Sequence, residues 1–163
     1  MNQPYQHLLD LRLFRDALGE FATGVAVVTA RAADGQPVGV TINSFASVSL
    51  EPPLVLWSLG LQSPALAVFE TCSHYSINVL AADQIELSQR FSQSQSDRFA
   101  GIDWKVGAGD TAILPGCSAW FECRNEIRHP GGDHLIFVGL VESFRREEKS
   151  PLIFHGGRYR SLA

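Results

Sequence analysis

Val25-Ala-Val-Val-Thr-Ala-Arg31 and Gln36-Pro-Val-Gly-Val-Thr-Ile-Asn43, separated by Ala32-Ala-Asp34-Gly35, form the stretch on which the fold turns. Both runs are rich in β-branched residues, and Asp34-Gly35 supplies the positive φ that a tight hairpin needs. Strands joined this way pair antiparallel. On the N-terminal side, Leu11, Phe14, Leu18 and Phe21 recur at helical spacing behind Asp10, a good N-cap, with Gly24 as a stop. On the C-terminal side, Pro52-Pro53 launches a short apolar strand over Leu54 to Leu59, and Ser63-Pro64 reads as N-cap and first residue of a helix through Thr71.

His74 to Leu80 is a further strand, and Asp83 with Glu86 has the spacing of a capping box for a helix ending near Phe91. The polar segment from Ser92 to Asp103 reads as irregular. From Ala119 to Arg128 polarity alternates, placing Ala119, Phe121, Cys123 and Ile127 on one face. His129-Pro-Gly-Gly-Asp133 turns the chain into a returning strand over Leu135 to Phe144, and Gly156-Gly157 punctuates a last short pair. Many strands, few helices and no βαβ alternation predict a mainly β antiparallel barrel.

At 163 residues the chain holds one full-sized core, so residues 1–163 are expected to form a single domain, with 1–12 as a flexible extension. Charged residues are 18% of the chain against roughly 25% for a soluble domain, which predicts a surface covered by a second copy. A net charge of −4 and a pI near 5.7 argue against nucleic-acid binding. No apolar run approaches the ~20 residues of a membrane span, so a cytoplasmic location and no membrane partner are expected. Three cysteines without CxxC spacing predict free thiols. His7, His74, His129 and His155 are too scattered for ligand spacing, so no metal is expected.

Gly107-Ala-Gly109-Asp-Thr-Ala112 has the letters of a dinucleotide fingerprint, but Pro115-Gly116 leaves no room for the helix that motif must open. It reads as a loop. Thr41, Asn43, Ser44, Ser47 and Ser49 make a dense run of small hydrogen-bonding side chains, with Phe45 and Val48 as apolar anchors. Such a run can bind phosphate or the polar edge of a heterocycle; an ordinary solvated loop has the same composition. Ser58 to Ser63 leads into a helix N-terminus, a natural anion site. Arg90-Phe91 offers a cation and an aromatic ring, and His134 opens a strand after a glycine-rich turn, where it suits a general acid or a hydrogen-bonding role. No nucleophile motif is present.

These segments, in order from Phe21-Ala-Thr-Gly-Val-Ala-Val-Val-Thr29 through Gly39-Val-Thr-Ile-Asn-Ser-Phe-Ala-Ser-Val-Ser49, Pro52-Pro-Leu-Val55, Ser63-Pro64, Phe99-Ala-Gly-Ile-Asp-Trp104, Gly132-Asp-His134, Pro151-Leu-Ile-Phe154 and Gly157-Arg-Tyr159, resemble the short-chain flavin reductase family. The resemblance implies an FMN-binding split β-barrel, a homodimer with flavin between its subunits, and hydride transfer from NADH or NADPH to FMN or FAD for a partner monooxygenase. It implies that Thr41, Asn43, Ser44, Phe45, Ser47, Ser58, Ser63 and Arg90-Phe91 hold the flavin. His134, as the catalytic side chain, and Tyr159 would lie where nicotinamide approaches. Gln62 stands where many relatives carry a cation, which implies a weaker grip on phosphate. The same barrel also suits a flavin-retaining oxidoreductase or a non-catalytic flavin-binding protein.

Overall fold

The computed structural model describes residues 9–94 and 97–162. Asp10 caps the first helix, α1 (Leu11–Gly19), its carboxylate accepting from the backbone N–H of Arg12 at 2.9 Å and of Leu13 at 3.2 Å. The helix ends at Gly19, earlier than the Gly24 stop. Leu11 and Arg12 are helical, so the end of the expected 1–12 extension is ordered; its first eight residues lie outside those described.

Strands β1 (Thr23–Gly24), β2 (Ala26–Arg31), β3 (Pro37–Ile42), β4 (Ala46–Leu50) and β5 (Pro53–Gly60) follow, then helix α2 (Leu66–Thr71), β6 (His74–Val79) and α3 (Ile85–Ser92). A small hairpin, β7 (Lys105–Val106) and β8 (Ala112–Ile113), precedes the long pair β9 (Ala119–Gly131) and β10 (His134–Arg146) and the final β11 (Ile153–His155) and β12 (Arg158–Arg160). The Asp34-Gly35 hairpin forms as read, with Gly35 at φ 83° and β2 antiparallel to β3.

Seven strands make one antiparallel sheet in the order β3-β2-β6-β9-β10-β5-β4. A flat sheet of that size would set its edges about 29 Å apart, yet the edge strands β3 and β4 are joined by residues 43–45, whose four peptide steps span at most about 14 Å. The sheet must therefore curl until its edges approach. Ser44 fastens the bend: its Oγ accepts from Ser58 N–H at 3.0 Å and donates to the Ser58 carbonyl at 3.2 Å.

Curling encloses one core, where Trp57 stacks on Phe137 and meets Phe69 and Tyr75 edge-on, with Ile77 and Val28 around them. A second core lies on the outer face under α3 and the C-terminal strands, built from Val25, Val27, Leu80, Phe91, Leu114, Trp120 and Leu152. Two covered faces explain why β2 is buried at five successive positions instead of alternating.

The Gly107 loop is a loop, stitched down from below. Ala108 N–H donates to Glu122 Oε2 at 2.6 Å, and a Cβ on Gly107 would meet that oxygen at 2.8 Å. The glycine pattern thus cradles the protein's own carboxylate. Buried Asn78 accepts from Leu114 N–H at 2.8 Å and donates to the Val27 carbonyl at 3.0 Å, while Thr29 donates to the Ala112 carbonyl at 2.6 Å.

Four local readings are corrected. Ala46–Leu50 is an edge strand, not part of an irregular loop, and Val48 is exposed instead of anchoring it. Helix α2 starts at Leu66, with Ser63 Oγ only accepting from Ala65 N–H at 3.3 Å, so Ser63-Pro64 forms a turn ahead of the helix. Gln84, not Asp83, holds the start of α3, its Oε1 accepting from Ala81 N–H and its amide donating to the Pro115 carbonyl. The face pattern of β9 inverts after Asn125, because the register shift opposite Val138 and Gly139 leaves Glu126 unpaired. Asn125 is buried, and Ile127 turns outward.

Candidate functional site

Strand β3 and helix α3 carry the centre of the site. Thr41, on β3, donates its hydroxyl to the Ser88 carbonyl at 2.6 Å, and the Ser88 hydroxyl is hydrogen-bonded to the Tyr159 phenol at 2.9 Å. Thr41, Asn43, Ser88 and Tyr159, with Phe154 and Val25, line a cavity of about 290 Å³. A second cavity of about 590 Å³ shares Asn43 and Phe154 with it and runs under α1 past Arg15, Thr23 and the Gly156-Gly157 turn. Both walls are built from opposite ends of the chain, since β1 pairs with β11 and β11 with β12.

The lining of the smaller cavity is neutral and amphipathic, with Phe154 and Tyr159 as an aromatic wall, edge-on to each other at 5.5 Å, and amide and hydroxyl groups on the other side. Thr23 Oγ1, beside the larger cavity, is buried without a hydrogen-bond partner among the described residues. Each volume is in or near the range of small-molecule sites. A flat heterocycle with a polar edge fits this donor set.

The other sequence-derived residues divide by position. Ser44 spends its hydroxyl on Ser58, so this pair shapes the 43–45 bend rather than facing a ligand. Phe45 is half-buried and stacks on Phe121 at 5.4 Å. Ser47 is exposed on the edge strand β4. Ser63 and His134 both flank Gly60: Ser63 N–H donates to its carbonyl at 3.0 Å, and His134 pairs with it across β5 and β10. They make a second polar cluster at the tip of the β9–β10 hairpin.

There His134 is half exposed, with Nδ1 2.7 Å from Asp133 Oδ1, and this hydrogen bond holds the Asp133 carboxyl below its ordinary range. His134 is not among the residues lining the Thr41–Tyr159 cavity. One expectation is corrected. Phe91 is 1% exposed, packed on Gly39 and edge-on to Phe99, so it is a core residue and presents no ring to a ligand. Arg90 donates to the Ala100 carbonyl, tying α3 to the loop that follows it.

Ser88 and Phe154 escaped the sequence reading. The signal for Ser88 was present: a small hydroxyl residue three before Phe91 shares the inward face of α3. No thiol competes as a nucleophile. Burial pushes Cys117 and Cys123 up to about 12 and raises Cys72, and all three are free. No helix among the described residues is long and apolar enough to cross a membrane.

A family model described as flavin reductase like domain matches residues 18–163. The chain is 47% identical over 148 residues to the FMN reductase (NADH) SmoA of Agrobacterium fabrum, covering 91% of this chain and 84% of that protein. It is 41% identical over 155 residues to HsaB, the reductase subunit of a flavin-dependent monooxygenase in Rhodococcus jostii, covering 94% and 79%. Two further relatives are longer, and the chain spans about half of each, 49% and 48%. Among solved structures, the NADH:FAD oxidoreductase SgcE6 of Streptomyces globisporus, in complex with NAD and FAD fragments, superposes with a TM-score of 0.90 at 35% identity, covering 94% of this chain and 93% of that one.

Proposed function

The chain belongs to the flavin reductase-like domain family, and from that membership we propose that it is an NADH-dependent flavin reductase. It reduces FMN or FAD and passes the reduced flavin to a partner monooxygenase, the role named for its relative HsaB. NADPH is the alternative donor. The observation that carries the reading is a pair of cavities meeting at Asn43 and Phe154, the smaller one neutral and aromatic-walled.

In this reading Asn43, whose amide both donates and accepts, and the Thr41 hydroxyl, which still has a lone pair to offer, orient the polar edge of the flavin. Tyr159, expected where nicotinamide approaches, lines the same cavity as Thr41 and Asn43, so in this reading it and Phe154 wall the flavin ring. Ser44 and Ser58 hold the 43–45 bend in shape, Ser47 and Phe45 flank it, and Ser63 faces the phosphate end. The bound flavin supplies the chemistry, accepting a hydride and carrying the electron pair onward. His134, oriented by Asp133, donates a hydrogen bond on the nicotinamide side and is the catalytic side chain of this proposal. Arg90, tied to the Ala100 carbonyl through one N–H, offers the rest of its guanidinium to the flavin phosphate.

The curled sheet is read as a split barrel, and the active form as a cytoplasmic homodimer. The dimer reading rests on exposed apolar side chains: α1 buries no residue, Leu11, Phe14 and Leu18 lie open on it, and Phe21 and Leu50 are 79% and 94% exposed. A second copy covering these faces would bury surface that a soluble chain otherwise leaves wet. Mixing the purified chain with NADH and either flavin tests the function. Consumption of NADH that requires added flavin is the expected result; a chain that binds neither flavin, or consumes no NADH in their presence, refutes it. Sedimentation equilibrium giving only the 17.9 kDa monomer at micromolar concentration refutes the dimer.

A further inference from the structure

Ser88 is an unusual choice for its place. It is fully buried in the middle of α3, where serine is a poorer helix former than alanine. Interior helix serines commonly turn their hydroxyl back to the carbonyl one turn earlier. Here that carbonyl, Gln84's, receives the Ser88 backbone N–H at 3.1 Å, while the Ser88 hydroxyl reaches across 71 positions of sequence to the Tyr159 phenol at 2.9 Å. The backbone carbonyl of the same residue takes the Thr41 hydroxyl at 2.6 Å. One helical residue thus ties two of the cavity-lining side chains to each other, from β3 on one side and β12 on the other.

We propose that Ser88 is a positioning residue for flavin binding, acting through Tyr159: its hydroxyl donates to the phenol oxygen and frees the phenol O–H to be donated into the cavity. The proposal rests on the flavin reductase reading above. The phenol has one hydrogen and can either give it to Ser88 or send it elsewhere. Thr41 has already committed its own hydroxyl hydrogen to the Ser88 carbonyl and can only accept from a ligand. A donating Tyr159 complements it, so that the cavity offers an acceptor from β3 and a donor from β12 to a heterocycle edge on which donors and acceptors alternate. Phe154, edge-on at 5.5 Å, fixes the ring from its other side, leaving the hydroxyl contact to set the remaining freedom.

The test is a double-mutant cycle of Ser88→Ala, Tyr159→Phe and the pair, read as the dissociation constant for FMN and FAD by fluorescence titration, with apoprotein melting temperature alongside. Each single change is expected to weaken flavin binding by roughly five- to tenfold, the scale of one hydrogen bond. The pair should be no weaker than Tyr159→Phe alone, because Ser88 then has no phenol to direct. Independent, multiplicative losses overturn the proposal. So does a Ser88→Ala protein that melts lower but binds flavin as the wild type does, which would make the hydroxyl a packing contact. If Ser88→Ala does not fold, Tyr159→Phe still decides: unchanged flavin affinity there sinks the relay. A wild-type chain that binds no flavin fails at the first titration, before any substitution, and removes the functional reading together with this one.

Discussion

Gly39→Ala puts the boundary between core and site to a direct test. Gly39 lies on β3 under α3, and a Cβ there would stand 2.6 Å from Cε1 and 2.8 Å from Cδ1 of Phe91, and 3.3 Å from Phe99 Cζ. The Phe91 ring cannot swing clear, since it is buried and held edge-on by Phe99 at 4.9 Å. Overpacking of this kind costs about 1 to 3 kcal/mol. Alanine recovers about 0.5 to 1 kcal/mol through the lower entropy of the unfolded chain, so the net loss is about 1 kcal/mol at mid-range and at most about 2.5 kcal/mol. For a domain of this size the mid-range loss lowers the melting temperature by roughly 2 to 4 °C. Because α3 must shift to admit the methyl group, Ser88 moves with it, and flavin affinity should fall as well. Scanning calorimetry of Gly39→Ala, Phe91→Leu and the double variant supplies the check. The shorter leucine should relieve the clash, giving a favourable coupling of about 1 kcal/mol. Strict additivity in this cycle would mean that Phe91 is not fixed against β3.

Other outcomes follow from the same geometry. Asn43→Ala should weaken flavin binding by about 1 to 3 kcal/mol, if a ligand group loses its only partner; an unchanged dissociation constant in a folded variant moves the site elsewhere. His134→Asn should slow hydride transfer from NADH in rapid-mixing experiments while leaving flavin affinity nearly unchanged, and wild-type rates there would assign His134 to the hairpin tip alone. Burial raises the thiols of Cys117 and Cys123 to about 12, so the folded chain holds those protons more tightly than the unfolded one. Their contribution is complete below the unfolded value near 8.5 and is lost as pH rises toward 12. Native alkylation at pH 8 should therefore spare both until denaturant is added, and rapid labelling of either would contradict their burial. Asn78→Ala should cost about 2 to 4 kcal/mol in urea titration, because it leaves the buried Leu114 N–H unpaired and opens a cavity.

Elements with a local cause were legible in the sequence. Asp10 caps α1, and Asp34-Gly35 turns the first hairpin, because each signal acts within a few residues. Some local cap signals failed too, as at Ser63-Pro64, but other failed readings depended on partners far along the chain. Nothing near Phe91 announces that Gly39, 52 positions earlier, leaves room for its ring, so an aromatic beside an arginine read as a ligand contact. Ile127 read as inward because alternation assumes an unbroken register, and the extra residue Glu126 in β9 is visible only in its pairing with β10. At the site, the run from Thr41 to Ser49 was correctly marked as rich in hydrogen-bonding groups, but its division was invisible: Thr41 and Asn43 line a cavity, Ser44 closes a bend, and Ser47 sits on an exposed edge. Ser88 and Phe154 required knowing that the last strands fold back over the first.

That return of the last strands sets a schedule for synthesis. The cavity takes Asn43 from near the start of the chain and Phe154 and Tyr159 from near its end, so no emerging polypeptide can possess it until residue 159 has cleared the ribosome. At about 5 to 20 residues per second, the interval between the appearance of Asn43 and that of Tyr159 is roughly 6 to 23 seconds. During that interval the small polar residues of the bend wait without their aromatic wall. Flavin therefore cannot serve as a template for the early strands; it can only lock a domain whose residue 159 has already emerged. Cells short of flavin would make the same apoprotein at the same rate, and differ in how long it survives.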